Sequence, residues 1–566
     1  MFSINRTKLP VLFLVPAVIL AVANKTFAQS AGDTDIYSGI EFKMSEVKEP
    51  RFPDYKVSIE FFGAESGGVV KNTRAFTNAI GHVSEKGGGT VVIPRGMWLT
   101  GPITLKSNVE LHAEEGALVI FSDDFDDYPL VNTSFEGLNT YRCQSPINGR
   151  NLENIAITGK GIFDGNGDAW RPVKSGKMTA AQWKKKIKSG GVLSDDGKIW
   201  YPSEKSKRGD SKNNFNVPDF KSKAGFETVK DYLRPVMVSL VGCKKVLLDG
   251  PTFQNSPAWN LHPLMCEDLT LRNLTVRNPW YSQNGDGLDL ESCKNVVIYN
   301  NSFDVGDDAI CFKSGKDKDG RDRGIATENV IVKNNVVYHG HGGFVIGSEM
   351  SGGVRNVHVS NCTFIGTDVG LRFKSTRGRG GIVENIYISG IDMKDIPTET
   401  IRFNMFYGGN SPLLEEDQDA ETEARDGNRE PVTEETPVFR DIYMKNITAV
   451  NSETAAFFMG LPEMKLKNVH LENAYFETRN GITMIDTDNL SLKNVTVTNK
   501  EGVPLTIHNG KNIQLREVKV NAEHKTSLKI SGKENGTISV ESGNITEDRI
   551  TSEDHNNTGK VLKFKK

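Results

Sequence analysis

The chain has 566 residues, 37% of them hydrophobic and 25% charged, with 69 Lys and Arg against 72 Asp and Glu and a formal net charge of −3. So even a balance gives no global attraction to nucleic acid or to an acidic lipid surface, and cations that meet a polyanion have to be gathered locally. The 55 glycines point to many turns.

Arg6 and Lys8 precede an apolar run from Val11 to Val22 broken only by Pro16, and Thr26-Phe27-Ala28 follows as a site for signal-peptidase cleavage. Residues 1–28 therefore read as an export signal, with a secreted or periplasmic product. The run is short for a membrane span and no second apolar stretch follows it, so no membrane attachment is expected after cleavage. Residues 29–56 read as a lead-in to the main domain.

From residue 57 to 523 one short pattern recurs, Asn-(Val/Ile)-x-(Val/Ile/Leu). It begins at Asn154, Asn295, Asn329, Asn356, Asn385, Asn468 and Asn512, with weaker members at Lys245, Asp268, Asp441 and Asn489. Neighbouring copies are mostly about 21 to 34 residues apart, the period of stacked-repeat architectures. A second alternating strand follows many of them, as in Asn301–Val305 and Cys362–Gly366. One such coil cannot bury its apolar side chains alone, whereas parallel stacking buries a continuous core and pairs the backbone between coils. Asparagine suits the bend because it tolerates left-handed backbone angles. A β-sandwich would show hairpin signals between paired strands, and few of the turns have that form. The expected fold is all-β, a single-stranded right-handed parallel β-helix. Cys243, Cys266 and Cys293 open similar tetrads, Cys-Lys-Lys-Val, Cys-Glu-Asp-Leu and Cys-Lys-Asn-Val. Thiols recurring once per coil are expected to stack free in the core, with a bridge between coils as the alternative in an exported chain.

Three segments lack the pattern. Residues 165–235, rich in lysine and holding Trp183 and Trp200, read as a long decorated loop. Residues 410–437 read as an exposed acidic insert, and 524–566 as a polar tail capping the last coil.

Four short motifs fall on successive coils: Asn284-Gly285-Asp286-Gly287-Leu288-Asp289, Gly306-Asp307-Asp308, Gly340-His341-Gly342 and Arg372-Phe373-Lys374. Each is weak alone, since an Asp-Asp pair is usually solvated or a calcium ligand and a Gly-His-Gly is usually a turn. Stacking, however, sets Asp286 and Asp307 about 5 Å apart in backbone terms and brings His341, Arg372 and Lys374 to the same face.

The ordered set of motifs resembles the polygalacturonase family of glycoside hydrolases (family 28), in particular its bacterial exo-acting members. Phe61-Phe62-Gly63-Ala64, Gly87–Pro94 and Leu99–Ile103 are similar to it as well. The resemblance spans most of residues 57–520 and implies a pectin-lyase-like solenoid. It further implies inverting hydrolysis of α-1,4-galacturonic-acid linkages in pectic polysaccharide or oligogalacturonides, with no metal or other cofactor. By carry-over, Asp307 is the general acid, Asp286 and Asp308 position and deprotonate the water, and His341 tunes the cluster. Crowding should raise one carboxyl pKa. Arg372 and Lys374, two apart on a strand, suit a uronate carboxylate. Asn284, Lys313, Trp259 and His262 are further candidates for sugar contact. Three departures stand out: Gly285 where threonine is usual, Phe373 where isoleucine is usual, and the intruding Lys316–Arg323. Exo action is expected, because the inserts at 165–235 and 410–437 can block one end of a groove. The rivals are a rhamnogalacturonan galacturonohydrolase, a β-helical lyase and a non-catalytic carbohydrate-binding β-helix.

Overall fold

Three short strands make each coil in the middle of the chain. Val238–Val241, Lys244–Asp249 and Thr252–Gln254 form one, and Leu261–Leu264, Glu267–Arg272 and Thr275–Arg277 the next. Leu288–Glu291, Lys294–Tyr299 and Ser302–Asp304 follow, then Asp308–Lys313, Thr327–Lys333 and Val336–Val337. Each pairs in parallel with its counterpart one coil on, so the architecture is a parallel β-helix. The computed structural model describes residues 36–212, 216–407, 429–552 and 561–565. The export signal expected at 1–28 and most of the acidic insert expected at 410–437 lie outside them.

The period-2 alternation of the sequence sets which side chains point inward. Leu288 pairs with Ile310, Ile310 with Phe344 and Phe344 with Leu371, while Leu290 leads through Phe312 and Ile346 to Phe373 and Phe403. All belong to one core that runs from Ile59 to Val561. Phe373 stacks flat on Phe403 at 4.1 Å between centroids, and Phe403 on Phe458 at 5.4 Å. An aromatic at 373 therefore extends a ladder that isoleucine would end. The bends of the repeat adopt left-handed angles from Asn154 (φ 54°) to Asn512 (φ 53°), including the weaker members Lys245, Asp268 and Asp441. Asparagine adds a second reason for its use there. Asn329 Nδ2 donates to Asn295 Oδ1 at 3.2 Å and Asn356 Nδ2 to Asn329 Oδ1 at 3.1 Å, so the amides bond from coil to coil. Six cysteines are free and buried, and the Cys266 N–H donates to Cys293 Sγ at 3.4 Å.

Two expectations change. Residues 165–235 are not a loop. They fold into helices Ala180–Lys188, Glu204–Ser211 and Lys223–Glu227 and a small antiparallel sheet of Val173–Lys174, Ile199–Tyr201 and Val192–Leu193. Trp170, Phe226, Val229 and Leu233 pack there with Tyr128, Leu130 and Cys143. The 3.6-residue periods are too short to stand out among the lysines. Nor is 524–566 merely a tail: Leu528–Ser531, Ile538–Gly543, Ile550–Ser552 and Leu562–Lys565 pair in parallel and continue the coils.

Phe403→Ala removes the middle ring of the aromatic ladder and should cost about 3–5 kcal/mol, read as a lowered urea midpoint.

Candidate active site

Inward positions on the sheet of Leu288–Glu291, Asp308–Lys313, Gly342–Ile346 and Val369–Lys374 are apolar, so every other side chain faces out. The acidic motifs sit at the entry to these strands. Asp308 opens its strand, while Gly306 and Asp307 lie in the bend before it, which frees the paired aspartates from pointing to opposite faces. Both motif glycines are needed here. A Cβ at Gly306 would run into Ser282 Oγ and Pro279 O, and one at Gly285 into Ser282 Oγ. The Ser282 hydroxyl thus fills the space that a threonine at 285 would take.

Oxygens of Asp286, Asp307 and Asp308 lie within 4.8 Å of one another. Asp286 and Asp308 are buried, and the Asp307 side chain is 23% exposed, the most open of the three. Lys374 Nζ reaches Asp308 Oδ2 at 2.6 Å and Arg372 Nη1 reaches Oδ1 at 3.1 Å. His341 Nδ1 is 2.9 Å from Asp307 Oδ1. Asp286, Asp307, Asp308, His341, Arg372 and Lys374 thus converge from four coils.

Their electrostatics differ sharply. Burial, reinforced by the neighbouring carboxylates Asp289 and Asp307, pushes the Asp286 carboxyl well above the ordinary range. Burial raises Asp289 as well, against the pull of Lys313. Burial acts on Asp308 too, but Lys374 and Arg372 together outweigh it and hold that carboxyl below the usual range. The hydrogen bond to Asp307 raises the His341 pKa despite partial burial. The crowding expected to raise one carboxyl therefore acts on Asp286 and on Asp289 behind it. Arg372 and Lys374 share one face, and both are directed at Asp308.

The remaining candidates sit elsewhere. Trp259 is 1% exposed and stacks on Phe135 at 4.3 Å. His262, equally buried, pairs its Nε2 with Glu291 Oε2 at 2.8 Å. Lys313 is buried between Glu349 at 2.9 Å and Asp289 at 3.6 Å. Asn284 Oδ1 accepts from Arg234 Nη2 at 2.9 Å and so ties the end of the folded insert to the motif loop. Trp259, His262 and Lys313 are thus packed and internally paired beneath a hairpin of Leu130–Phe135 and Leu138–Cys143, whose Phe135 lies on Trp259. Its tip meets the intruding segment Lys316–Arg323, of which Asp317–Arg323 is a short helix, through Lys316 N to Gly137 O at 3.1 Å and Asn139 N to Asp319 Oδ2 at 3.5 Å. Arg323 Nη1 also reaches Glu291 at 2.6 Å.

Several residues of the site had no sequence signal. Glu136, on the hairpin, and Glu349 join Lys313 in the covered pocket, and the Tyr407 ring lies 4.9 Å from Lys374 Nζ. Asp289 stood in the first motif; neither of its oxygens has a hydrogen-bond partner among the described residues.

Residues 186–420 match the family model described as glycosyl hydrolases family 28. The chain is similar to a hyperthermoactive exopolygalacturonase from Thermotoga maritima, 33% identical with a TM-score of 0.60 over 78% of this chain and 89% of that one. It is also similar to an exo-poly-alpha-D-galacturonosidase from Dickeya chrysanthemi, 28% identical over 63% of this chain and 58% of the relative. A probable polygalacturonase from Vitis vinifera is 26% identical over 74% of both chains.

Two outcomes test the charge layout. Lys374→Met removes a cation that holds Asp308 ionised, so the acid limb of the kcat/KM pH profile should move to higher pH. Asp286→Asn removes a buried charge whose folded-state pKa is raised. Ionising Asp286 destabilises the fold as pH rises above the ordinary carboxylate range. The variant should therefore gain denaturation midpoint over the parent at pH 7, lose that gain toward pH 4, and lose turnover at both.

Proposed function

Because this chain belongs to family 28 of the glycosyl hydrolases, we propose that it releases galacturonic acid from the non-reducing end of pectic α-1,4-galacturonan by inverting acid–base hydrolysis. The reading is carried by the three convergent carboxylates of Asp286, Asp307 and Asp308 beside Arg372 and Lys374. The uronate of the first residue on the leaving side finds there the two cations that also pair with Asp308, and arginine suits a carboxylate in particular. Family membership sets aside the lyase and the binding-only readings.

Asp307, the most open of the trio, donates the proton to the leaving glycosidic oxygen. His341 Nδ1 lies 2.9 Å from Asp307 Oδ1, so the imidazole both orients the acid and stabilises the carboxylate left behind. Asp308, held ionised by its cations, takes the proton of the attacking water, and Asp286 accepts or donates a hydrogen bond to fix that water in line. Most inverting enzymes keep their two carboxyls about 6.5–9.5 Å apart. The nearest oxygens here are closer, within 4.8 Å, so inversion is assigned on family membership and not on spacing.

Exo action is supported by the closed end of the face. The hairpin tip and the Asp317–Arg323 helix meet over Asp289, Glu291 and Lys313, whose side chains are almost fully buried although they point out of the sheet. A polymer could enter such a site only by its terminus. Export rests on residues 1–28, and no helix among the described residues is long and apolar enough to cross a membrane.

Free galacturonic acid should accumulate from homogalacturonan oligosaccharides without a rapid viscosity drop on the polymer, and from these in preference to rhamnogalacturonan oligosaccharides. A ladder of mid-chain products would overturn exo action. Asp307→Asn should lower kcat by about 10²–10⁴-fold while substrate binding persists. Proton NMR of the first product should show the β-anomer; the α-anomer would mean a covalent intermediate and a different role for the trio.

A further inference from the structure

Beside the catalytic bend lies a cavity of about 660 Å³ that meets the mechanism above only at His341 and the Gly306 turn. Lys177, Trp280, Asp304, His339, His341 and Asp368 line it. Trp280 is 61% exposed, a large apolar surface left bare next to a polar active site. Lys177, from the folded insert, sets its ammonium 4.6 Å from the centre of the Trp280 ring. Among the described residues it has no carboxylate within ion-pair distance, while the cavity's own carboxylates are engaged. Asp304 pairs with His339 at 2.9 Å, and Asp368 lies 3.8 Å from His341 Nε2. The cavity therefore offers a flat indole, one uncommitted cation and two buffered carboxylates.

That combination fits an acidic sugar. A pyranose ring lays its apolar C–H face on an aromatic, its carboxylate meets an ammonium, and its hydroxyls donate to carboxylates or imidazoles. The cavity reaches the catalytic centre at His341, on the side of Asp307. The acid stands beside the leaving oxygen, so this is the side on which the departing chain lies. The first departing residue has Arg372 and Lys374 for its carboxylate, which leaves the cavity to the residue after it. We infer that Trp280 and Lys177 form a binding subsite for the second galacturonosyl residue on the leaving-group side. This rests on the exo-galacturonidase reading and deepens it. Binding energy gained that far from the reacting bond can be used to position the bond itself, so the enzyme should favour trigalacturonide over digalacturonide.

The test is the ratio of kcat/KM for trigalacturonide to that for digalacturonide. Trp280→Ala should reduce this ratio on the order of tenfold, and Trp280→Phe should keep most of it. Lys177→Gln should reduce the ratio for the free acid but not for a trimer methyl-esterified at its reducing-end residue. Both side chains are exposed, so neither change threatens folding. If the wild type releases galacturonate but the ratio is the same in all variants, or if both substrates decline equally, the subsite is refuted while the reading of the function stands. If the wild type cleaves neither oligomer, both fall together.

Discussion

Parallel stacking is the constraint from which the site follows. Each strand residue lies over its counterpart on the next coil at about 4.8 Å, so side chains at one register position are pressed together whatever their chemistry. For apolar groups and for asparagine the result is favourable. Leu290, Phe312, Ile346, Phe373 and Phe403 make one column, and Asn295, Asn329 and Asn356 make a chain of amide hydrogen bonds. For carboxylates the same geometry is unfavourable. Asp286 and Asp308 stand two residues before the paired Leu288 and Ile310, and Asp307 adds a third negative group to the same bend.

Such crowding persists because cations are stacked beside it. Arg372 and Lys374 converge on Asp308, and Lys313 lies over Glu291 in register while contacting Asp289 and Glu349. Removing one partner of a buried pair leaves an uncompensated charge and costs about 3–5 kcal/mol, so these cations serve stability in their own right. The layout also divides the carboxylates by protonation. Asp286, with only distant help from Lys313, is driven toward the neutral form, whereas Asp308 is kept ionised. A cluster of like groups is divided into neutral and ionised members only because its neighbours differ.

The covering elements turn an open sheet face into a site with an end. Asp289, Glu291 and Lys313 point outward from the helix and would be solvated in a bare solenoid. Under the 130–143 hairpin they are buried, with Trp259 stacked on Phe135 from that hairpin. Residues that look like sugar contacts from their position on a strand become the floor of a closed pocket. The folded insert contributes on the other side of the catalytic bend, where Lys177 meets Trp280.

The repeat was legible because its causes are local: inward apolar alternation and left-handed asparagines need only a few adjacent residues to declare themselves. Order along the chain then fixes which motifs become neighbours, so the sequence places Asp286, Asp307, Asp308, His341, Arg372 and Lys374 on one face. What covers that face could not be read, because the hairpin and the short helix meet across great sequence distance, Asn139 and Asp319 being 180 residues apart. The hairpin has no repeat, and the insert's short helices are masked by lysines. Nor could the sequence say that Arg372 and Lys374 turn to Asp308, or that Ser282 occupies the space beside Gly285. Those outcomes depend on which groups share a buried volume, and only the tertiary structure decides that.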